Sequence, residues 1–203
     1  MKTKANNFQT MRELSFAQQA AIALTLLERM LPNYQLFSEV SEFGDASALR
    51  HMLELSWEWL TVKKAKINFP RLAEELEPLI PEVNHYDMFG VYPAVDCATA
   101  LDSLFNGINQ QDSSEFINVA KISQATVARL IEYQAEDEDI TSENELKKFV
   151  RDHPLMAYEI ECLSELIALV QTMPQFSREQ MLQLKAWVQQ QGLTNLGMEL
   201  ADR

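Results

Sequence analysis

The chain has 203 residues, 47% of them hydrophobic and only 5 of them glycine. That supplies ample material for a core, and its aliphatic, alanine- and glutamine-rich composition favours helix, because such side chains lose little rotamer freedom there. Its formal net charge of −13 disfavours phosphodiester backbones and anionic lipid, both of which are bound through clustered cations, and makes a basic protein partner electrostatically easier. Two cysteines, Cys97 and Cys162, cannot build a disulfide framework and fit a reducing cytoplasm.

Residues 1–9 show no apolar period and are expected to be a flexible start. Lys2, Lys4 and Arg12 precede the apolar run AAIALTLL at 20–27, a weak echo of a signal peptide, yet Glu28 and Arg29 follow at once without a cleavage pattern. The run is too short to span a bilayer and reads as a core helix. Ser15 with Gln18 forms a capping-box pattern that opens a helix from Phe16 to Leu31. Pro32 is expected to break it and to begin a short second helix, Pro32 to Glu42, closed by Gly44.

Asp45 caps a third helix, 46–62, in which Leu49, Met52 or Leu53, Ser56, Trp57 and Leu60 form one stripe. The connection KKAKINF leads to a fourth helix from Pro70 to Ile80, stopped by Pro81. After Gly90 and Pro93, residues Ala94, Ala98, Leu101, Phe105 and Ile108 predict a buried helical face. A sixth helix runs over 114–133, with EDED at 136–139 as an exposed connector. Ser142 with Glu145 opens a short helix to Arg151, Pro154 starts a longer one to Pro174, and Ser177 with Gln180 caps the last, ended by Gly192.

The tail TNLGMELADR is expected to be extended or loosely packed. The result is an all-α fold of about nine helices, a compact bundle or two packed helical lobes, with 10–197 as one domain and 198–203 as a tail.

Several loops and helix ends stand out: ERMLPNY at 28–34, FGD at 43–45, WEWLTVKKAKINF at 57–69, YDMFGVYPAVDCATAL at 86–101 and NLG at 195–197. In these segments the chain resembles the YjaG-like family, bacterial proteins with a domain of unknown function. The resemblance implies a compact helical bacterial protein and brings no reaction or ligand with it. The acidic connector at 135–153 and the N-terminal extension depart from the family pattern.

Lys63, Lys64 and Lys66 beside Asn68 make a basic island in an acidic chain. They suit an anion near the next helix start, but lysines after a helix more simply complement its C-terminal carbonyls. Asp87, Tyr92 and Asp96 suggest an acid/base pair or a hard-cation site; an Asp96 carboxylate in the first turn of a helix is more simply a cap. Tyr86, Phe89 and Tyr92 read as packing aromatics.

His51, His85 and His153 are isolated, and His51 with Glu54 supplies one reversed copy of the Glu-x-x-His spacing that di-iron bundles use twice. Cys97 lies among apolar neighbours and is expected to be buried. No metal, cofactor or catalytic signature is apparent.

Residues 135–165 hold ten carboxylates against three bases, a face that favours a basic partner through Glu136, Asp137, Glu138 and Asp139. The leading expectation is therefore a non-enzymatic cytoplasmic interaction or regulatory protein, without direct nucleic-acid or membrane binding. The alternative is a small-molecule or anion-binding protein, enzymes included, whose pocket gathers Lys63, Lys66, Asn68, Asp87, Tyr92 and Asp96. A third reading has the KKAKINF and FGVYP loops simply locking helices together.

Overall fold

A computed structural model describes residues 6–137, 140 and 142–200, and among them it contains nine α-helices, three 3-10 turns and one isolated bridge between Leu193 and Glu199. The helices are α1 (Asn7–Arg12), α2 (Phe16–Ser41), α3 (Ala46–Thr61), α4 (Phe69–Leu76), α5 (Val91–Gln110), α6 (Ser114–Gln134), α7 (Glu143–Asp152), α8 (Pro154–Gln171) and α9 (Arg178–Gln191). The fold is all-α, as composition and periodicity predict.

The organising element is α2. Every residue from Gln19 to Leu31 is buried, which a helix sustains only when other helices surround it. α3, α5, α6, α8 and α9 all pack on it. One large apolar core results, with a smaller satellite of Val127, Ile131 and Met156 shielded by Phe149 and Leu155.

The expected caps form. Ser15, Ser142 and Ser177 each make a reciprocal capping box with the residue three positions on, and Asp45 accepts the Ala48 N–H at 3.0 Å. Gly192 ends α9 with φ +69, a conformation open to glycine at little cost.

Three expectations are corrected. Pro32 does not divide α2, which continues through it to Ser41. Proline removes the N–H that would reach the Glu28 carbonyl and disturbs the turn behind it. The neighbouring Arg29 carbonyl accepts an outside donor, the Asn195 N–H at 3.4 Å. The start of the chain is structured from Asn7, because Asn6 caps α1 through the Gln9 N–H and Met11 is fully buried. The tail is anchored: Thr194 and Asn195 are buried, and Thr194 Oγ1 accepts the N–H groups of Leu196 and Met198, both at 3.2 Å, to close a tight loop.

At Gly107, α5 packs closely against the start of α6. A Cβ there would stand 2.7 Å from Phe116 Cε1 and 3.0 Å from Glu115 Cβ, and Phe116 is fully buried against Phe16. Gly107→Ala would gain roughly 1 kcal/mol of helix propensity, whereas overpacking costs about 1–3 kcal/mol. Urea denaturation should show Gly107→Ala to be less stable than the wild type; a higher midpoint would mean the two helices part freely here.

Candidate functional site

Adjacent residues on α2 carry opposite charges to different neighbouring helices. Glu28 accepts the Trp57 indole N–H at 2.9 Å and an Arg50 N–H at 2.6 Å, both from α3, while Lys185 of α9 stands 3.5 Å away and bonds Glu54. Arg29 donates to Glu159 of α8 at 2.6 Å, with both side chains essentially inaccessible. The other oxygen of Glu159 accepts the Ser123 hydroxyl of α6 at 2.6 Å.

Burial works against the charged form of Arg29, but the attraction and hydrogen bond of Glu159 together with Cys162 and Tyr158 outweigh it, so the net shift is upward. The C-terminal loop completes the framework. Asn195 donates to Ser123 Oγ at 3.2 Å and accepts from Asn33 Nδ2 at 2.7 Å. Next to Asn33 on α2, the Tyr34 hydroxyl bonds the Leu79 carbonyl at 2.7 Å and lies where a Cβ on Gly44 would fall. These are contacts of assembly, closed to solvent around Arg29 and Glu159 and partly open at Arg50, Glu54 and Lys185.

One accessible groove lies beyond them, at the C-terminal half of α2. With a volume of about 470 Å³, it runs between α2 (Leu36, Val40), the turn before α5 (Met88, Phe89), the end of α6 (Leu130) and the C-terminal loop (Met198). Phe37 stacks edge-on against Tyr86 at 5.0 Å, fixing the turn to α2, and Phe89 lies 4.9 Å from the exposed Tyr133 ring, joining the turn to α6. Leu36 is 49% and Val40 63% exposed. Both lie on the α2 face that continues from Asn33 and Phe37 at helical spacing.

The residues singled out from sequence divide between separate places. Lys63 and Lys66 are exposed on the α3–α4 connection, and Asn68 caps α4 by accepting the Arg71 N–H at 3.2 Å. Phe69, next to Asn68, stacks at 5.7 Å on Phe105, which is about 20 Å along α5 from Tyr92 at 1.5 Å per residue. Asp87 is exposed beside the groove.

Tyr92 and Asp96 do meet, through Arg129: the guanidinium is 5.1 Å from the Tyr92 ring and bonds Asp96 at 3.0 Å. Asp96 also accepts the Thr126 hydroxyl at 2.9 Å. Its partners are thus on α6, where a cap reading had expected the start of α5. Glu136 is exposed at the end of α6 with Asp137 closing the turn after it, and Glu138 and Asp139 lie outside the described residues.

Both cysteines are buried, and burial pushes the Cys97 thiol up to about 12, away from the thiolate form that reacts. His153 Nδ1 accepts the Leu155 N–H at 3.1 Å, a helix cap. Among the described residues no three His, Cys, Asp or Glu side chains gather in a metal-holding arrangement, and no helix is long and apolar enough to cross a membrane.

The Arg29 and Glu159 charges should be strongly coupled. Removing one leaves the other buried and unpaired, at a cost of about 3–5 kcal/mol. Arg29→Met should therefore destabilise the chain by that order in urea denaturation, and Arg29→Met with Glu159→Leu should recover part of the loss. A double variant as unstable as the sum of the two single ones would show that the charges act independently. In the native chain at pH 8, iodoacetamide should label Cys97 only on unfolding; rapid native labelling would contradict its burial.

Comparison with known proteins covers the framework and the groove together. The model for the family described as "Protein of unknown function (DUF416)" matches residues 6–199. The uncharacterised protein YjaG of Salmonella typhimurium is 36% identical over 182 residues, 89% of this chain and 90% of that protein. YjaG of Escherichia coli is 35% identical over the same shares, and an uncharacterised protein of Haemophilus influenzae is 32% identical over 97% of this chain and 95% of its own length. The crystal structure of a DUF416 family protein from Shewanella baltica has a TM-score of 0.87 at 34% identity, covering 97% of this chain and all of that one. Sequence, fold and extent agree, and the chain belongs to the DUF416 family of proteins of unknown function.

Proposed function

We propose that this chain is a non-enzymatic interaction or regulatory protein that holds a partner protein against the groove beside α2. One observation carries the reading. Of the seven large apolar side chains exposed among the described residues, five (Leu36, Val40, Met88, Tyr92 and Tyr133) surround this one groove, directly or through the Phe89 ring. Contiguous exposed apolar surface of this kind marks interaction sites, whereas scattered single residues need no explanation.

The acidic character expected of the contact surface fits the same place. Glu136 follows Gln134, a lining residue, by two positions, and Asp87 precedes Met88. Asp87 and Tyr92 thus serve as rim residues of a docking surface in this reading. Two free, buried cysteines support a reducing, cytoplasmic setting.

Site-specific photocrosslinking tests the proposal. With p-benzoylphenylalanine placed at Val40 or at Tyr133, irradiation in cells that encode the protein should give a discrete protein adduct. Placed at Leu182, an exposed apolar residue of α9 away from the groove, it should give none. Equal yields at all three positions, or no adduct at any, would overturn the reading.

A further inference from the structure

The groove also constrains what kind of segment it takes, an inference that rests on the docking role just given. We infer that the partner presents an amphipathic α-helix, with large apolar side chains on one face and lysine or arginine flanking them.

Charge is the first ground. Of the exposed carboxylates within two positions of a lining residue, Glu42, Asp87 and Glu136 stand at the ends of the lining elements, whereas Glu39 lines a separate cavity with Gly44 and Arg50 and Glu132 lies about 200° round α6 from Leu130. The same window holds one solvent-reachable base, Arg129, and its guanidinium is already bonded to Asp96. An apolar floor inside an acidic rim is complementary to an apolar stripe between cations. It is unsuited to a second copy of this chain, which would bring its own rim and a net charge of −13 against the first.

Backbone chemistry is the second. The walls of the groove are α2, α6, the first turn of α5 and the C-terminal loop, where Met198 spends its N–H on Thr194 Oγ1 and its C=O on the Thr194 N–H, so neither is open to pair with an extended peptide. An extended peptide would bring unpaired N–H and C=O groups against Leu36, Val40 and Leu130, whereas a helix satisfies its own. The lining pairs Leu36 with Val40 and Leu130 with Gln134 are each one turn apart, the spacing at which a facing helix repeats its own apolar positions.

The third ground is shape. The cavity has room for a few large side chains, and the apolar surface continues outside it over Tyr92 and Tyr133. A small ligand that filled the cavity would leave that outer surface uncovered. A helix inserting anchors into the floor and resting on the aromatics covers both.

Model peptides provide the test. The full chain is titrated by fluorescence anisotropy with a labelled peptide of about five helical turns, leucine on one face and lysine elsewhere. A glutamate counterpart, and a scramble of the leucine and lysine composition with no common apolar face, serve as comparisons. The leucine–lysine amphipath should bind at least about tenfold more tightly than either, and Val40→Asp should weaken it by about tenfold or more. Val40→Asp makes the chain more acidic, so mere attraction between a polycation and an acidic protein predicts the opposite change. Unchanged or tighter binding by Val40→Asp, or equal binding of the scramble, overturns the inference.

Glu42→Lys with Glu136→Lys should weaken the lysine peptide and favour the glutamate one; no change would remove charge from the argument. If dodecanoate binds in a Val40-dependent way while no peptide does, the groove holds a small amphiphile and the helix is wrong. A crosslink at Val40 without peptide binding would reject the helix and leave the docking role standing. Absence of both would reject the two together.

Discussion

Two neighbouring charges on one buried helix set the arrangement of nearly everything else. Glu28 and Arg29 are consecutive on α2, so their side chains leave the helix about 100° apart, and each must find an opposite charge inside the protein. Glu28 finds Arg50 and, through Trp57, the face of α3, with Lys185 of α9 close by. Arg29 finds Glu159 of α8, which in turn engages Ser123 of α6. A buried ion pair contributes little net stability against a well-packed apolar replacement. Its effect is on alternatives: a slip of α8 by one turn along α2 would bury an unpaired guanidinium and an unpaired carboxylate.

The same framework connects fold to surface. Asn33, one turn beyond Arg29, holds Asn195, and Asn195 also reaches Ser123 and the Arg29 carbonyl. This fastens the loop that carries Leu196 and Met198, which form one wall of the groove. Pro32 belongs to this arrangement. It removes the N–H that would bond the Glu28 carbonyl, and the next carbonyl along α2, that of Arg29, accepts the Asn195 N–H of the C-terminal loop, so a residue that looks like punctuation in the sequence sits beside a docking point in the structure.

How much could be read in advance follows from which forces are local. Caps and stripes depend on residues three or four apart, and Ser15, Asp45, Ser142 and Ser177 all behave as their spacing predicts. Segments with a family resemblance were visible as segments, but their purpose was not, because it is set by pairs 130 and 162 positions apart, Arg29 with Glu159 and Asn33 with Asn195. Asp96 was legible as an anion at a helix start, yet its cation comes from α6, 33 residues later. Leu36 and Val40 were illegible as surface for a simpler reason: an apolar stripe has the same period whether a helix covers it or water does.

The groove is not a packing defect that the protein could relax away. Its walls are fixed by interactions outside it: Tyr34 to Leu79 and Asn33 to Asn195 hold α2, Tyr86 on Phe37 holds the turn, and Thr194 holds the C-terminal loop in shape. Apolar side chains mounted on a frame this constrained cannot close on one another to shed water. Their burial, on the order of 25 cal/mol for each Å² covered, therefore remains available to whatever docks there. On the proposed docking role, an apolar floor with carboxylates beside it would favour a basic partner over a second copy of the chain.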